Sequence, residues 1–181
     1  MIQIEDVGMA VEHALRAPSV HNTQPWCWRI GPGVVELHAD WNRHLPATDP
    51  DRRDLILSCG AALHHLQVAC AARELAVEVD RLPDPEDQGY LATVTIGPGP
   101  GNADDAALFP AIHRRRTERR RMSHRSVPEG YLQTLAEQAR RVGARLVSVT
   151  GAPMRQRFTA ALTEAAHCQE FTPGYIAELQ L

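Results

Sequence analysis

The sequence predicts an α+β fold, mainly antiparallel sheet flanked by helices, and three stretches predict it. Residues 50–75 keep an apolar stripe at helical spacing through Leu55, Cys59, Ala62, Leu63, Leu66, Ala69, Cys70 and Ala72. Residues 26–30 and 34–39 read as strands, and Gly31-Pro32-Gly33 between them is a turn signal, so they form an antiparallel hairpin. Residues 90–96, Tyr-Leu-Ala-Thr-Val-Thr-Ile, alternate as a half-buried strand does.

The remaining elements follow in order. Val7, Val11, Ala14 and Leu15 space a first helix over residues 6–17. Residues 40–49 are irregular and end at a helix start, where Asp49 can cap and Pro50 can take the first helical position, which needs no N–H. Gly60, Ala61 and Ala62 narrow the stripe of the long helix, so another helix can approach closely. A further strand over 77–80 is separated from 90–96 by Pro83-Asp84-Pro85 and Gly89. Gly97-Pro98-Gly99-Pro100-Gly101-Asn102 is the best boundary in the chain, dividing it into 1–102 and 103–181. Beyond it come a helix over 104–112, interrupted near Pro110, and, beyond Pro128, a helix to about Val142 that Gly143 ends. A strand over 144–149 and a helix over 153–168 complete the pattern.

Composition narrows the function classes. A hydrophobic content of 44% in 181 residues is that of an ordinary globular chain, and a net charge of −3 argues against general nucleic-acid binding. All 19 basic residues are Arg, a bias that suits bidentate anion binding and that codon composition could equally produce. Cys27, Cys59, Cys70 and Cys168 show no C-x-x-C spacing, which fits a reducing compartment. The start lacks a basic and apolar leader and no apolar run reaches the roughly 18 residues of a membrane helix, so a soluble, cytoplasmic protein without membrane contact is expected. No Cys, Asp or Glu stands at ligand spacing from His64-His65, so no metal is expected. Neither G-x-S-x-G nor G-x-G-x-x-G occurs. Trp26 and Trp28 fall on one face of their strand and read as core.

Two constellations carry chemistry. Residues 18–26, Pro-Ser-Val-His-Asn-Thr-Gln-Pro-Trp, crowd two prolines, two hydroxyls, two amides and an indole into nine positions. Such a stretch is either a capped connection between helix and strand or a loop that presents polar groups to a ligand. Residues 114–121 hold six arginines in eight positions. A solvated connector would tolerate them and a nucleic acid would attract them, although no aromatic residue is interleaved to stack on bases.

Residues 17–30, Ala-Pro-Ser-Val-His-Asn-Thr-Gln-Pro-Trp-Cys-Trp-Arg-Ile, resemble the P-S-x-x-N-x-Q-P-W-x-[FW] segment of the nitroreductase superfamily, whose members hold FMN. Residues 45–53, Leu-Pro-Ala-Thr-Asp-Pro-Asp-Arg-Arg, and 58–66, Ser-Cys-Gly-Ala-Ala-Leu-His-His-Leu, narrow the likeness to the Acg-like branch, in which two nitroreductase-like halves are fused. Residues 115–119, Arg-Arg-Thr-Glu-Arg, resemble the R-[RH]-[ST]-x-[RK] segment that opens a nitroreductase subunit. The resemblance implies a nitroreductase-like fold, with 1–102 as a first half and 103–181 as the start of an incomplete second one. It implies FMN held by Pro18, Ser19, Val20 and Asn22 from one half and by Arg115, Arg116, Thr117 and Arg119, at the phosphate and ribityl chain, from the other. It implies hydride transfer from NAD(P)H through FMN to a small electron-poor acceptor, a nitroaromatic or quinone, with no catalytic acid or base nominated. A flavin-storing or flavin-sensing protein without turnover and an Arg-rich interaction module are the alternatives. Later strands and the second half's long helix would be missing, so self-association through that half is expected.

Overall fold

A computed structural model describes residues 4–123, 125–128 and 130–180. Strands β1 (Trp26–Gly31), β2 (Val34–Ala39), β3 (Leu75–Arg81) and β4 (Tyr90–Pro98) form one sheet in the order β1-β2-β4-β3, each neighbouring pair antiparallel. The fold class is α+β. The hairpin closes through Pro32-Gly33, with Gly31 opposite Val34. Gly33 has φ +68, and a Cβ there would stand 3.3 Å from the Ile96 carbonyl oxygen, so glycine answers both backbone and space.

The sheet buries one face. Val35 and Leu37 on β2, Leu91, Val94 and Ile96 on β4, and Trp26 on β1 join Val7, Ala10, Val11 and Ala14 of helix α1 (Ile4–Ala14). Helix α2 (Arg53–Ala71) contributes Leu55, Cys59, Ala62, Leu63, Leu66, Ala69 and Cys70 to the same core. Trp28 packs against this core beside Trp26, as the alternation along the strand requires. Burial pushes the Cys59 thiol up to about 12 and that of Cys70 to about 11, so both stay protonated and behave as small apolar groups. Helix α3 (Ala103–Arg114) packs on α2 and is capped by Asn102, whose Oδ1 accepts from the Asp104 N–H at 2.9 Å. Gly101 just before it has no room for a side chain, because a Cβ would collide with Ala71.

Three expectations about local structure are corrected. Asp49 caps α2, accepting from the N–H groups of Asp54 at 3.1 Å and Leu55 at 2.9 Å, but the helix begins at Arg53 and Pro50 lies in the preceding turn. The carboxylate reaches back over a turn in which Arg52 is left-handed, at φ 62. Helix α3 runs through Pro110 without a break, since the ring sits on the exposed side, where water can take the place of the lost bond. Residues 144–149 are not a strand, because no described strand lies alongside to satisfy their backbone.

The chain falls into two compact units, Met1–Thr117 with Gly174–Leu181, and Glu118–Pro173. The expected division at residue 102 concerns descent from two sequence halves and is a separate matter from this grouping by contact. In the first unit, the short helix α6 (Tyr175–Glu178) is pinned to the turn ahead of α2, where the Glu178 carboxylate accepts from the N–H groups of Ala47 at 2.9 Å and Thr48 at 2.8 Å. The second unit holds α4 (Tyr131–Arg141) and α5 (Ala152–Glu170), and none of its described residues is buried. Among the described residues, no helix is long and apolar enough to cross a membrane and no group of three or more His, Cys, Asp or Glu is placed to hold a metal ion.

Candidate functional site

The polar stretch after α1 is a rigid, strained loop. The residues from Val20 to Asn22 form one short 3-10 turn, and His21, Asn22 and Gln24 all sit in the left-handed region, at φ 45, 58 and 49. Asn and His tolerate that region better than Gln does, and Gln24 in addition precedes Pro25. Each such residue costs roughly 1–2 kcal/mol, so the surrounding bonds must hold the shape.

Those bonds are present on every side. Ser19 Oγ accepts from the Gln24 N–H at 2.9 Å, and Thr23 Oγ1 donates to the Val20 carbonyl at 3.0 Å. From α2, Ser58 Oγ accepts from the Val20 N–H at 3.3 Å while donating to the Asp54 carbonyl at 2.6 Å. The Cys59 thiol donates to the Pro25 carbonyl at 3.1 Å, and Arg43 Nη1 donates to the carbonyls of Thr23 at 3.1 Å and Gln24 at 3.2 Å.

Where the loop meets α2, an open cleft of about 310 Å³ is lined by Pro18, Ser19, Val20, Asp54, Leu57, Ser58 and Ala61. Three of the residues expected to bind a ligand, Pro18, Ser19 and Val20, therefore share one cavity wall. Asn22 is outside the lining and exposed, its Oδ1 accepting from the Gln24 side-chain Nε2 at 3.5 Å. Leu57 is 69% exposed, a large apolar surface at the mouth of a polar cleft.

Arg115, in the first-unit part of the basic segment, lies near the same helix. Asp54, Ser58, Ala61 and His65 follow one another at intervals of three and four along one stripe of α2. Arg115, which follows α3, is close enough to His65 to help lower the imidazole's pKa, behind the larger contribution of burial. Arg115 Nη1 is 3.5 Å from Thr117 Oγ1. Arg115, Arg116 and Thr117 are exposed, and no carboxylate among the described residues pairs with either arginine. Glu118, the nearest acid in sequence, is taken by Arg120. Arg119 is exposed and belongs to the second unit. None of the four lines the cleft beside Ser19.

Sequence reasoning nominated the loop and the arginines as ligand-binding; it placed Ser58 and Ala61 in the 58–66 segment without a role at the site and passed over Asp54 and Leu57, which complete the opposing wall, and Arg43, which ties the loop down. A further signal was the i, i+4 spacing of Asp54 and Ser58 at the start of the long helix. The bonds from Ser58 and Arg43 span 38 and 20 positions and leave no local trace.

No family model matches the chain. Over 177 residues it is 42% identical to the candidate NAD(P)H nitroreductase Rv3131 of Mycobacterium tuberculosis H37Rv, a match that covers 98% of this chain and 51% of that protein. The candidate NAD(P)H nitroreductase Acg of the same organism is 40% identical over 120 residues, 66% of this chain and 36% of that one. Rv3127, described only as an uncharacterized protein, is 42% identical over 115 residues, 61% of this chain and 33% of its own. The chain spans about half the length of the first of these curated relatives. Among solved structures, a nitroreductase family protein from Streptococcus pneumoniae TIGR4 overlaps 56% of this chain and 83% of its own at TM-score 0.45 and 16% identity, a likeness too loose to carry weight.

Proposed function

Because this chain belongs to the nitroreductase family, we propose that it holds FMN and serves as part or all of an NAD(P)H-dependent oxidoreductase acting on nitroaromatic or quinone-like acceptors. One observation carries the reading: a strained Pro18–Gln24 loop shares a cleft with Asp54, Ser58 and Ala61 of α2, and Arg115, whose charge reaches His65 on the same helix, has no carboxylate partner among the described residues. When bound, FMN supplies hydride acceptance from NAD(P)H and delivery to the electron-poor acceptor. The protein's task is to bind and orient.

The donor set fits a phosphate-bearing flavin. Arg115 and Arg116 offer guanidinium forks with no carboxylate partner among the described residues, and Thr117 offers a hydroxyl. Asp54 lines the cleft beside Ser19, so a phosphate is better accommodated at the His65 end, nearer Arg115. Pro18, Ser19, Val20 and Asn22 would then meet the uncharged part of the cofactor, where a preformed loop binds without a further ordering penalty.

Binding of FMN and of riboflavin, which lacks the phosphate, tests this by fluorescence quenching. Arg115→Ala should weaken FMN by about 1.5–3 kcal/mol, the range for a hydrogen bond to a charged group, and leave riboflavin nearly unchanged. Asn22→Ala should weaken both alike. A wild-type chain that binds neither flavin, or an Arg115→Ala chain that keeps its full preference for FMN, would overturn the proposal. Bleaching of bound flavin by NADPH under anaerobic conditions separates an oxidoreductase from a flavin store.

A further inference from the structure

Arg43 is too far along the chain to belong to the loop and is not among the residues that line the cleft, yet its guanidinium reaches three acceptors around the loop's base. It ends a short 3-10 turn, Trp41–Arg43, whose N-terminus Asp40 caps through Oδ1 and the Asn42 N–H at 3.1 Å. The Asp40 N–H donates to the Pro25 carbonyl at 3.0 Å, and Asp40 Oδ2 accepts from Arg43 Nε at 3.1 Å. Asp40 thus aims the guanidinium, and the guanidinium binds the two consecutive carbonyls on either side of Gln24. Gln24 is the least comfortable residue of the loop, left-handed and ahead of a proline. Arg43 is 52% exposed, so its ion pair with Asp40 alone is worth little. The bonds to the carbonyls are what it contributes, both from Nη1 while Nε stays on Asp40, a division of donors between two nitrogens of a planar fork that a single ammonium nitrogen does not reproduce.

We infer that Arg43 is a positioning residue, which holds the Pro18–Gln24 loop in its strained conformation and so sets the affinity of the cleft for the uncharged part of a flavin. The affinity half of this inference rests on the flavin reading above; the conformational half does not.

Amide hydrogen exchange and flavin binding on the full chain test the two halves separately. In Arg43→Ala, the Thr23 and Gln24 amides should exchange about tenfold faster, while those of Val35 and Val94 in the sheet stay protected. FMN and riboflavin should both weaken, by a common factor of about ten. Adding Gln24→Gly, which removes the backbone strain that Arg43 opposes, should return both readouts to within about threefold of wild type. Arg43→Lys should fall short of wild type in both, and it decides the matter if Arg43→Ala loses the protection of the sheet. Unchanged loop exchange, failure of Gln24→Gly to rescue, or a loss confined to FMN would overturn the inference, the last by making Arg43 a phosphate contact. A wild-type chain that binds no flavin refutes the flavin reading and leaves the exchange result to judge the role of Arg43 in the loop.

Discussion

Helices α2 and α5 are each 19 residues long, and they show what a helical pattern in a sequence does and does not promise. Helix α2 buries ten of its residues, from Leu55 to Ala71, against the sheet and its neighbours. Helix α5 carries a stripe of the same kind, through Met154, Phe158, Leu162 and Ala165, and buries none of it, with Phe158 53% and Leu162 56% exposed. Periodicity reports an amphipathic helix and says nothing of whether a partner covers its face. Helix α2 is held by packing, whereas α5 rests on its own length and on good helix formers such as Ala160, Ala161, Ala165 and Ala166.

The largest test of that contrast is a pair of truncations. Leu66 in α2 is 0% exposed, and Leu66→Ala should destabilise the first unit by about 2–5 kcal/mol, the transfer loss plus a cavity. Leu162→Ala in α5 should change stability by no more than about 0.5 kcal/mol. All three tryptophans, Trp26, Trp28 and Trp41, lie in the first unit, so urea unfolding followed by their fluorescence reads that unit, while far-UV circular dichroism reads the helices of both units and shows α5 as helix lost outside the tryptophan transition. Comparable losses for the two variants would mean that the α5 stripe is covered in solution, and the contrast would collapse.

The same contrast explains what the sequence made legible. Every strand of the sheet and the three helices packed on or beside it could be read, because alternation and apolar stripes there coincide with burial. The strand expected over 144–149 failed in the second unit, where Leu146 and Val147 have the right composition but no strand beside them among the described residues. The start of α2 was misread by three residues because Pro50 offers a local signal, whereas the Asp49 carboxylate acts across a left-handed Arg52. At the candidate site, Ser19 and Asn22 were visible as unusual polar residues ahead of a tryptophan. Ser58 and Arg43 were not, since what they do depends on which carbonyl or N–H the fold brings to them.

A smaller difference between the units should appear with pH. His65 is held below its ordinary pKa by burial first, then by His64 and Arg115, against a hydrogen bond to the His13 backbone. His13 is lowered by burial, His113, Arg73 and Arg16, with Glu12 opposing. A histidine lowered in the folded state is neutral there while its unfolded counterpart, at about 6.5, takes a proton, so the unfolded state gains. The contribution is whole above about pH 6.5 and declines as pH falls through the folded pKa values. The urea midpoint read by tryptophan fluorescence should therefore fall between pH 7.5 and 5.5, and His65→Gln should flatten that fall. A midpoint independent of pH, or a slope untouched by His65→Gln, would show that these imidazoles are not shielded.

The smallest expected effect concerns the segment that rejoins the first unit after the second. Glu178 is subject to burial, which works to raise its pKa, but the N–H groups of Ala47 and Thr48 and the neighbouring His44 prevail and hold it below the ordinary value. A carboxylate lowered in the folded state contributes stability that is present above its unfolded pKa and is lost as pH falls through the folded one. The attachment of α6 should thus be complete at neutral pH and loosen below about 4.5. Its signature is local: the amides of Ala47 and Thr48 should lose protection from hydrogen exchange on acidification, while those of Val35 and Val94 in the sheet keep theirs until the whole unit unfolds. Glu178→Gln should expose the Ala47 and Thr48 amides at neutral pH and remove the acid step, because an amide oxygen accepts more weakly than a carboxylate and carries no charge to titrate. If both amides stay protected in Glu178→Gln, the turn ahead of α2 keeps its shape without α6, and residues 174–180 are bound to the first unit by something other than this carboxylate.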